Sequence, residues 1–252
     1  MCGISGIYNC SDKDISPKKI IENIIKLQDR RGPDDRGIWE SECKKIIFGH
    51  NRLSIIDLTD KARQPLISKD NNLVITFNGE IYNYKEIRNE LSQNKVTFKS
   101  NSDTEVILES YKYWGIEFVK KLRGMFAFAI WDNTKKKLIL ARDPFGIKPL
   151  YYLKKNNILF FASQLKSILS IDKLSFEKSG RSVLDYYLWG NIREPFTLYK
   201  DIYSLERGTV KIFDSKFNDT SYEYANLKEA IIKSKKNYFK NESELNEKLN
   251  YL

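Results

Sequence analysis

Met125-Phe126-Ala127-Phe128-Ala129-Ile130-Trp131 (residues 125–131) is the longest wholly apolar run in this 252-residue chain. It is far short of the roughly 20 residues that a membrane helix needs. A strand sends alternate side chains to opposite faces, and here both faces are apolar. The run therefore predicts a strand covered on each side, inside a layered structure. Asp132-Asn133-Thr134 and the apolar residues 138–141 make it one arm of a hairpin. Residues 150–153 and 158–162, around Asn156-Asn157, predict a second hairpin.

Outward from these hairpins the pattern alternates. Ser16-Pro17 reads as an N-cap with Pro at the first helical position, and Ile20, Ile21, Ile24, Ile25 and Leu27 follow at helical spacing. That helix is expected to stop before the Arg31-Gly32-Pro33-Asp34 corner. Strands are expected at 37–40, 45–50 and 73–77, and a short helix at 84–91. Ser102-Asp103-Thr104-Glu105 has capping-box spacing and predicts a helix ending at Gly115. The fold class is α+β, layered, with antiparallel sheets. After about Asp214 the chain turns polar and rich in Lys, Asn and Glu, with helical spacing at Leu227, Ile231 and Ile232 and again at Leu245 and Leu249. The expected organisation is a main domain at 1–210 and, at 211–252, a linker and the start of something else.

Composition removes most function classes. Lys and Arg exceed Asp and Glu by 43 to 33, a net charge of +10. The lysines are scattered over turns and element ends, however, and the aromatics lie in core-like strands rather than between them. The surplus reads as a solvated surface, not a nucleic-acid footprint. Three cysteines, an odd number, fit a reducing compartment. With His50 as the single histidine and no C-x-x-C pair, no zinc site is expected. No G-x-S-x-G elbow and no P-loop occurs. The opening residues lack the basic start and apolar core of a signal peptide, so the expected location is cytoplasmic, with no membrane partner.

Cys2 is the most informative residue that remains. Removal of Met1 would leave its thiol and a free α-amine on one residue, with ordinary pKa values of about 8.5 and about 7.7–8.0. A terminal amine beside a nucleophile is a built-in general base and needs no histidine. Taken alone, Cys2 reads far better as a small buried hydrophobe. Other polar motifs have the same two-sided character. Residues 31–34 combine a rigid corner with fixed charges, and Arg52 interrupts a strand-like stretch at 50–57. Asn78-Gly79 reads either as a hairpin turn or as two adjacent N–H donors for an oxyanion. Asp103 reads either as a first-turn carboxylate suited to the helix dipole or as a ligand group.

Their order along the chain decides between these readings. Cys2-Gly3-Ile4, RGPDDRG (31–37), GHNRLSIIDL (49–58), QPL (64–66), FNGEIYNY (77–84), SDTEVIL (102–108), GMFAFAIWD (124–132) and RDPFGIKPLYY (142–152) together resemble the N-terminal glutaminase domain of glutamine-dependent asparagine synthetases. Those are class II glutamine amidotransferases of the N-terminal-nucleophile hydrolase superfamily. The resemblance covers nearly the whole chain. It implies a four-layer αββα sandwich and hydrolysis of L-glutamine to glutamate and ammonia. Cys2 would attack the side-chain carbonyl to form a thioester, with Asn78 and Gly79 as the catalytic oxyanion donors. Arg52 would take the α-carboxylate of glutamine, Asp103 and Glu80 its α-ammonium, and the backbone of Leu53, Ser54, Ile55 and Ile56 would line the pocket.

The resemblance also marks departures. Arg30 and Gln164 stand where family members often carry His and Glu. The family continues into an ATP-using synthetase domain with an S-G-G-x-D-S loop, which this sequence lacks, and its last residues resemble the segment just before that loop. No cofactor or metal is expected in this chain; ATP and Mg are expected only for the synthetase domain. The implied partners are L-glutamine and a synthetase domain or separate subunit, with a homodimer left open. Delivery of ammonia to another acceptor, such as a sugar, and a catalytically idle interaction module are the alternatives.

Overall fold

In the computed structural model, which describes residues 1–8, 16–172 and 174–236, the apolar run becomes the middle of a strand covered on both faces. The elements in chain order are β1 (Gly3–Tyr8), α1 (Pro17–Leu27), β2 (Asp35–Glu40), β3 (Ile46–Arg52), β4 (Leu66–Ile67) and β5 (Leu73–Ile81). There follow α2 (Tyr84–Gln93), α3 (Asp103–Trp114), β6 (Gly124–Asp132), β7 (Lys137–Arg142), β8 (Tyr151–Lys155), β9 (Ile158–Ala162) and α4 (Leu165–Leu169). The last are α5 (Gly180–Trp189), β10 (Ile202–Ser204), β11 (Thr209–Phe213), β12 (Asp219–Glu223) and α6 (Leu227–Lys236). Residues 245 and 249, where the sequence carries a further helical spacing, lie outside the described residues.

Two antiparallel sheets result, ordered β10-β8-β9-β1-β3-β2 and β12-β11-β7-β6-β5-β4. β6 shows how they stack. Phe126, Phe128 and Ile130 enter the core shared with α2 and α3, whereas Ala127, Ala129 and Trp131 enter the core between the sheets. The small Ala side chains leave room for Phe48, Phe161 and Phe213 in that middle layer. On the far side of the first sheet, Ile21, Ile24 and Ile25 of α1 and Ile168 of α4 close a third core. The layers are therefore helix, sheet, sheet, helix: the αββα sandwich that the sequence implies. Each large apolar side chain fully buried this way is worth about 1.5–3 kcal/mol.

Several local expectations need correction. Asn78-Gly79 is not a turn: β5 runs through both, with Asn78 opposite Ala127 and Gly79 opposite Phe126. Only one half of the capping box forms. Ser102 Oγ accepts from Glu105 N at 3.3 Å, but the Glu105 carboxylate turns to the N–H groups of Lys99 and Ser100, both at 2.7 Å. Ser16 caps α1 through position only, without a side-chain hydrogen bond. Arg52 ends β3 rather than interrupting a strand. β11 pairs with β7, and β12 with β11, so the paired sheet runs across residue 210, where composition put the domain boundary. An edge strand needs little apolar content, which is why the last hairpin reads as linker.

Candidate active site

Cys2 precedes β1, whose Gly3 lies opposite Asn51 of β3, so the thiol sits beside the residue following β3. Leu53 N donates to Cys2 Sγ at 3.4 Å, and the thiol faces Leu53 O at 3.7 Å. The Arg31 corner fastens the other side: Arg31 Nε donates to Cys2 O at 2.9 Å. Asp34 completes the clamp, its N–H donating to Arg52 O at 3.0 Å and its carboxylate accepting from Ser54 N at 2.7 Å. Gly3 packs closely against Gln28: a Cβ there would lie 2.2 Å from Gln28 Oε1, and the Gln28 side chain would have to shift. Burial pushes the Cys2 thiol up, opposed by the Leu53 N–H and nearby cations. The terminal amine, carried by Met1, is pushed down by burial.

A cavity of about 230 Å³ opens beside the thiol. Its second wall comes from the other sheet. Asn78 is 1% exposed, and its Nδ2 has no hydrogen-bond partner among the described residues. A buried N–H₂ left unpaired costs about 1–3 kcal/mol. Gly79 beside it is glycine by necessity, because a Cβ would meet Met125 O at 2.3 Å.

The charged groups lie around the same cavity. Arg52 is buried, and its guanidinium donates to the carbonyls of Asp57 (2.5 Å) and Thr59 (3.4 Å). It forms no ion pair among the described residues. Asp103, at the first turn of α3, accepts from Ile81 N at 3.1 Å. Burial pushes its carboxyl up to about 6, with Glu80 adding to the rise. A cation and an anion held apart at one cavity suit a ligand with a carboxylate and an ammonium. Glu80, Leu53, Ile55 and Ile56 line the cavity too. Ser54 does not; its backbone is spent on Asp34.

Lining residues without an expected role include Gln64, Thr104, Met125 and Lys148. Gln64 has a clear structural task. Its Oε1 accepts from Phe77 N at 2.7 Å and its Nε2 donates to Thr104 Oγ1 at 3.2 Å, tying β5 to α3 beneath the cavity. The QPL motif was the available signal. His50 is no catalyst: it is fully buried between the sheets against Thr76, and burial pushes its pKa down to about 3. Among the described residues no cluster of His, Cys, Asp and Glu is suited to a metal, and no helix is long and apolar enough to cross a membrane.

A family described as a glutamine amidotransferase domain matches residues 1–225. Similar proteins include asparagine synthetase [glutamine-hydrolyzing] 1 of Bacillus subtilis, 40% identical over 211 residues, which cover 83% of this chain and 33% of that protein. A putative asparagine synthetase [glutamine-hydrolyzing] 2 of Methanocaldococcus jannaschii is 36% identical over 232 residues, 85% of this chain and 44% of its own length. The chain thus spans between a third and a half of these relatives. Among solved structures, the glutamine phosphoribosylpyrophosphate amidotransferase of B. subtilis shares the fold, with a TM-score of 0.65 at 20% identity over 89% of this chain and 49% of that one.

Proposed function

The chain belongs to the glutamine amidotransferase domain family, and on that premise we propose that its cavity hydrolyses L-glutamine through Cys2. The observation that carries this reading is the unpartnered Asn78 Nδ2, buried in the wall of the cavity that Cys2 also lines. With Met1 removed, the Cys2 α-amine takes the thiol proton and Sγ attacks the side-chain carbonyl carbon of glutamine. Negative charge gathers on the carbonyl oxygen, where Asn78 Nδ2 and Gly79 N supply donors. The C–N bond breaks as the amine returns the proton to the leaving nitrogen, which departs as ammonia. Water, deprotonated by the same amine, then releases glutamate from the thioester. Arg52 pairs with the α-carboxylate of glutamine; Asp103 and Glu80 receive its α-ammonium.

The ammonia goes, in this reading, to an ATP-dependent synthetase domain or subunit that converts aspartate to asparagine, with ATP and Mg held there. Two observations support such a partner. The relatives named asparagine synthetases are two to three times longer than the stretch they share with this chain. And α5 is built inside out: Ser182 and Asp185 face the protein, while Leu184, Tyr187, Leu188 and Trp189 are 57–82% exposed. A similar protein of Gibberella zeae, 38% identical over 179 residues, is named an amidase, so the acceptor is the part of the reading to test separately. Intact mass before and after 6-diazo-5-oxo-L-norleucine tests the chemistry. Loss of Met1 with one adduct on Cys2 is expected. Processed protein that takes no adduct would refute a competent glutaminase site.

A further inference from the structure

Lys148 is 6% exposed, lines the cavity beside Cys2, and its ammonium has no hydrogen bond or ion pair among the described residues. That is an unusual position for a lysine. The common solution for a lysine is to pair its ammonium or to turn it to the outer surface. Of the neighbouring cations, Arg31 donates Nε to Cys2 O while its Nη2 is buried without a partner among the described residues, and Arg52 donates to the carbonyls of Asp57 and Thr59.

The chain spends two more buried charges on fixing Lys148 in place. The Asp143 carboxylate accepts from the N–H groups of Phe126, Phe145, Ile147 and Lys148 at 3.0–3.2 Å. The Arg142 guanidinium donates to Lys148 O at 2.9 Å and to Gly146 O at 2.6 Å, and is anchored in turn by Leu205 O and Glu194. Both backbone groups of Lys148 are thus clamped by side chains that are themselves buried. The loop backbone is held at this point, and the side chain it carries lines the cavity.

We propose that Lys148 is a further functional residue of this cavity, a fixed buried cation that acts electrostatically on the Cys2 thiol and the terminal amine. This rests on the glutaminase reading. After Met1 is removed, the amine moves one residue inward, onto the residue that lines the cavity with Lys148. A nearby positive charge disfavours a second one, so the amine stays neutral and free to accept a proton; the same charge favours the thiolate. Lys148 itself exchanges no proton in the step. The proton passes from Sγ to the α-nitrogen and then to the leaving nitrogen, as the S–C bond forms and the C–N bond breaks. The other charged groups facing this pair are Arg31 and Asp34 around the amine, and Arg52 and Asp103 around the thiol. Glu80 stands on the cavity wall. Asp34 accepts from Ser54 N and Asp103 from Ile81 N, and neither forms an ion pair with Lys148 among the described residues.

The test reads the nucleophile without glutamine. Met1-processed full chain is alkylated with iodoacetamide across about pH 6 to about pH 9.5, and the N-terminal peptide is followed by mass spectrometry to separate Cys2 from the other thiols. Lys148→Met is expected to move the half-maximal rate up by about half to one pH unit and to slow Cys2 alkylation about 3- to 10-fold at neutral pH; Lys148→Arg restores most of it. Lys148→Gln serves the same purpose if the Met variant melts early. An unchanged alkylation profile in either folded neutral variant overturns the proposal, as does a rise in glutamine KM alone with kcat and alkylation intact. Wild-type protein that releases no glutamate, yet shows Lys148-dependent alkylation, would refute the glutaminase reading and leave this inference standing.

Discussion

α3 and α5 begin and end alike, yet one is sunk in the protein and the other lies on it. Ser102 and Ser179 each cap their helix by accepting from the N–H three residues on, both at 3.3 Å. Gly115 and Gly190 end them with φ of +63° and +70°, a backbone conformation in which side chains with a Cβ are strained. Every residue from Asp103 to Tyr111 of α3 is buried, whereas in α5 only Ser182 and Asp185 are. Caps and stops decide that a helix forms and where; they do not decide what covers it. α3 fills the space over β5 and delivers Asp103 to the cavity, while α5 keeps its polar side inward and shows its apolar side. The first forms part of the wall of the Cys2 cavity. The second leaves its apolar side exposed among the described residues.

That contrast is open to direct attack. The largest expected effect is in α3: Leu108→Ala should cost about 2–5 kcal/mol of unfolding free energy by leaving a cavity, measured by denaturant titration. Leu188→Ala in α5 should cost less than about 0.5 kcal/mol. A comparable loss at both would mean that α5 is packed in solution.

Asp103→Asn should separate function from stability. Removing the carboxylate leaves the glutamine ammonium unpaired, so KM should rise by about tenfold or more. Stability should move the other way. The folded-state pKa of Asp103 is raised to about 6, so the folded protein holds this proton more tightly than the unfolded chain. Its contribution is fully present below about pH 4 and is lost as pH rises through about 6. The Asn variant should therefore melt higher than wild type near pH 8, with the gap closing toward pH 4. A lower Tm at both pH values would show that the carboxylate holds the fold rather than awaiting a ligand.

Smaller effects sharpen the pair of helices themselves. Ser102→Ala and Ser179→Ala each remove one cap worth about 1 kcal/mol. The first should appear in global unfolding; the second should appear only as faster amide exchange within α5, because that end opens locally. Smallest of all, Leu188→Ser with Trp189→Ser should leave glutamate release from the isolated chain unchanged. It should weaken association with a separately supplied synthetase half, read by co-elution. Unchanged co-elution would remove α5 from that interface.

The legible parts of the site were those with no structural need for their chemistry. Cys2, Arg52 and Asp103 stood out because a core does not ask for them, and they do line one cavity. Asn78-Gly79 was legible as chemistry and misleading as structure, since turn and strand share that dipeptide and only the pairing with Ala127 and Phe126 excludes the turn. Ser54 belonged to a matching motif, yet its position is set by Asp34, 20 residues away. Gln64 and Lys148 lay in quoted motifs without a role. Their parts depend on partners 13 to 40 residues off, for Gln64, and on a missing partner, for Lys148.

Sequence alone determined the layered α+β class, since 125–131 is apolar at every position and a strand so built must be covered twice. It determined the start of α3 at Ser102 and its stop at Gly115 as well, because these are short-range matters of steric freedom and hydrogen bonding. Only the tertiary structure decided that Cys2, ahead of one sheet, and Asn78, in the other, line one cavity, that Asn78 Nδ2 and the Lys148 ammonium have no partner among the described residues, and that α5 shows its apolar side. Those are statements about which surfaces exclude water from which groups, and a linear pattern carries no record of that until the two sheets close on each other.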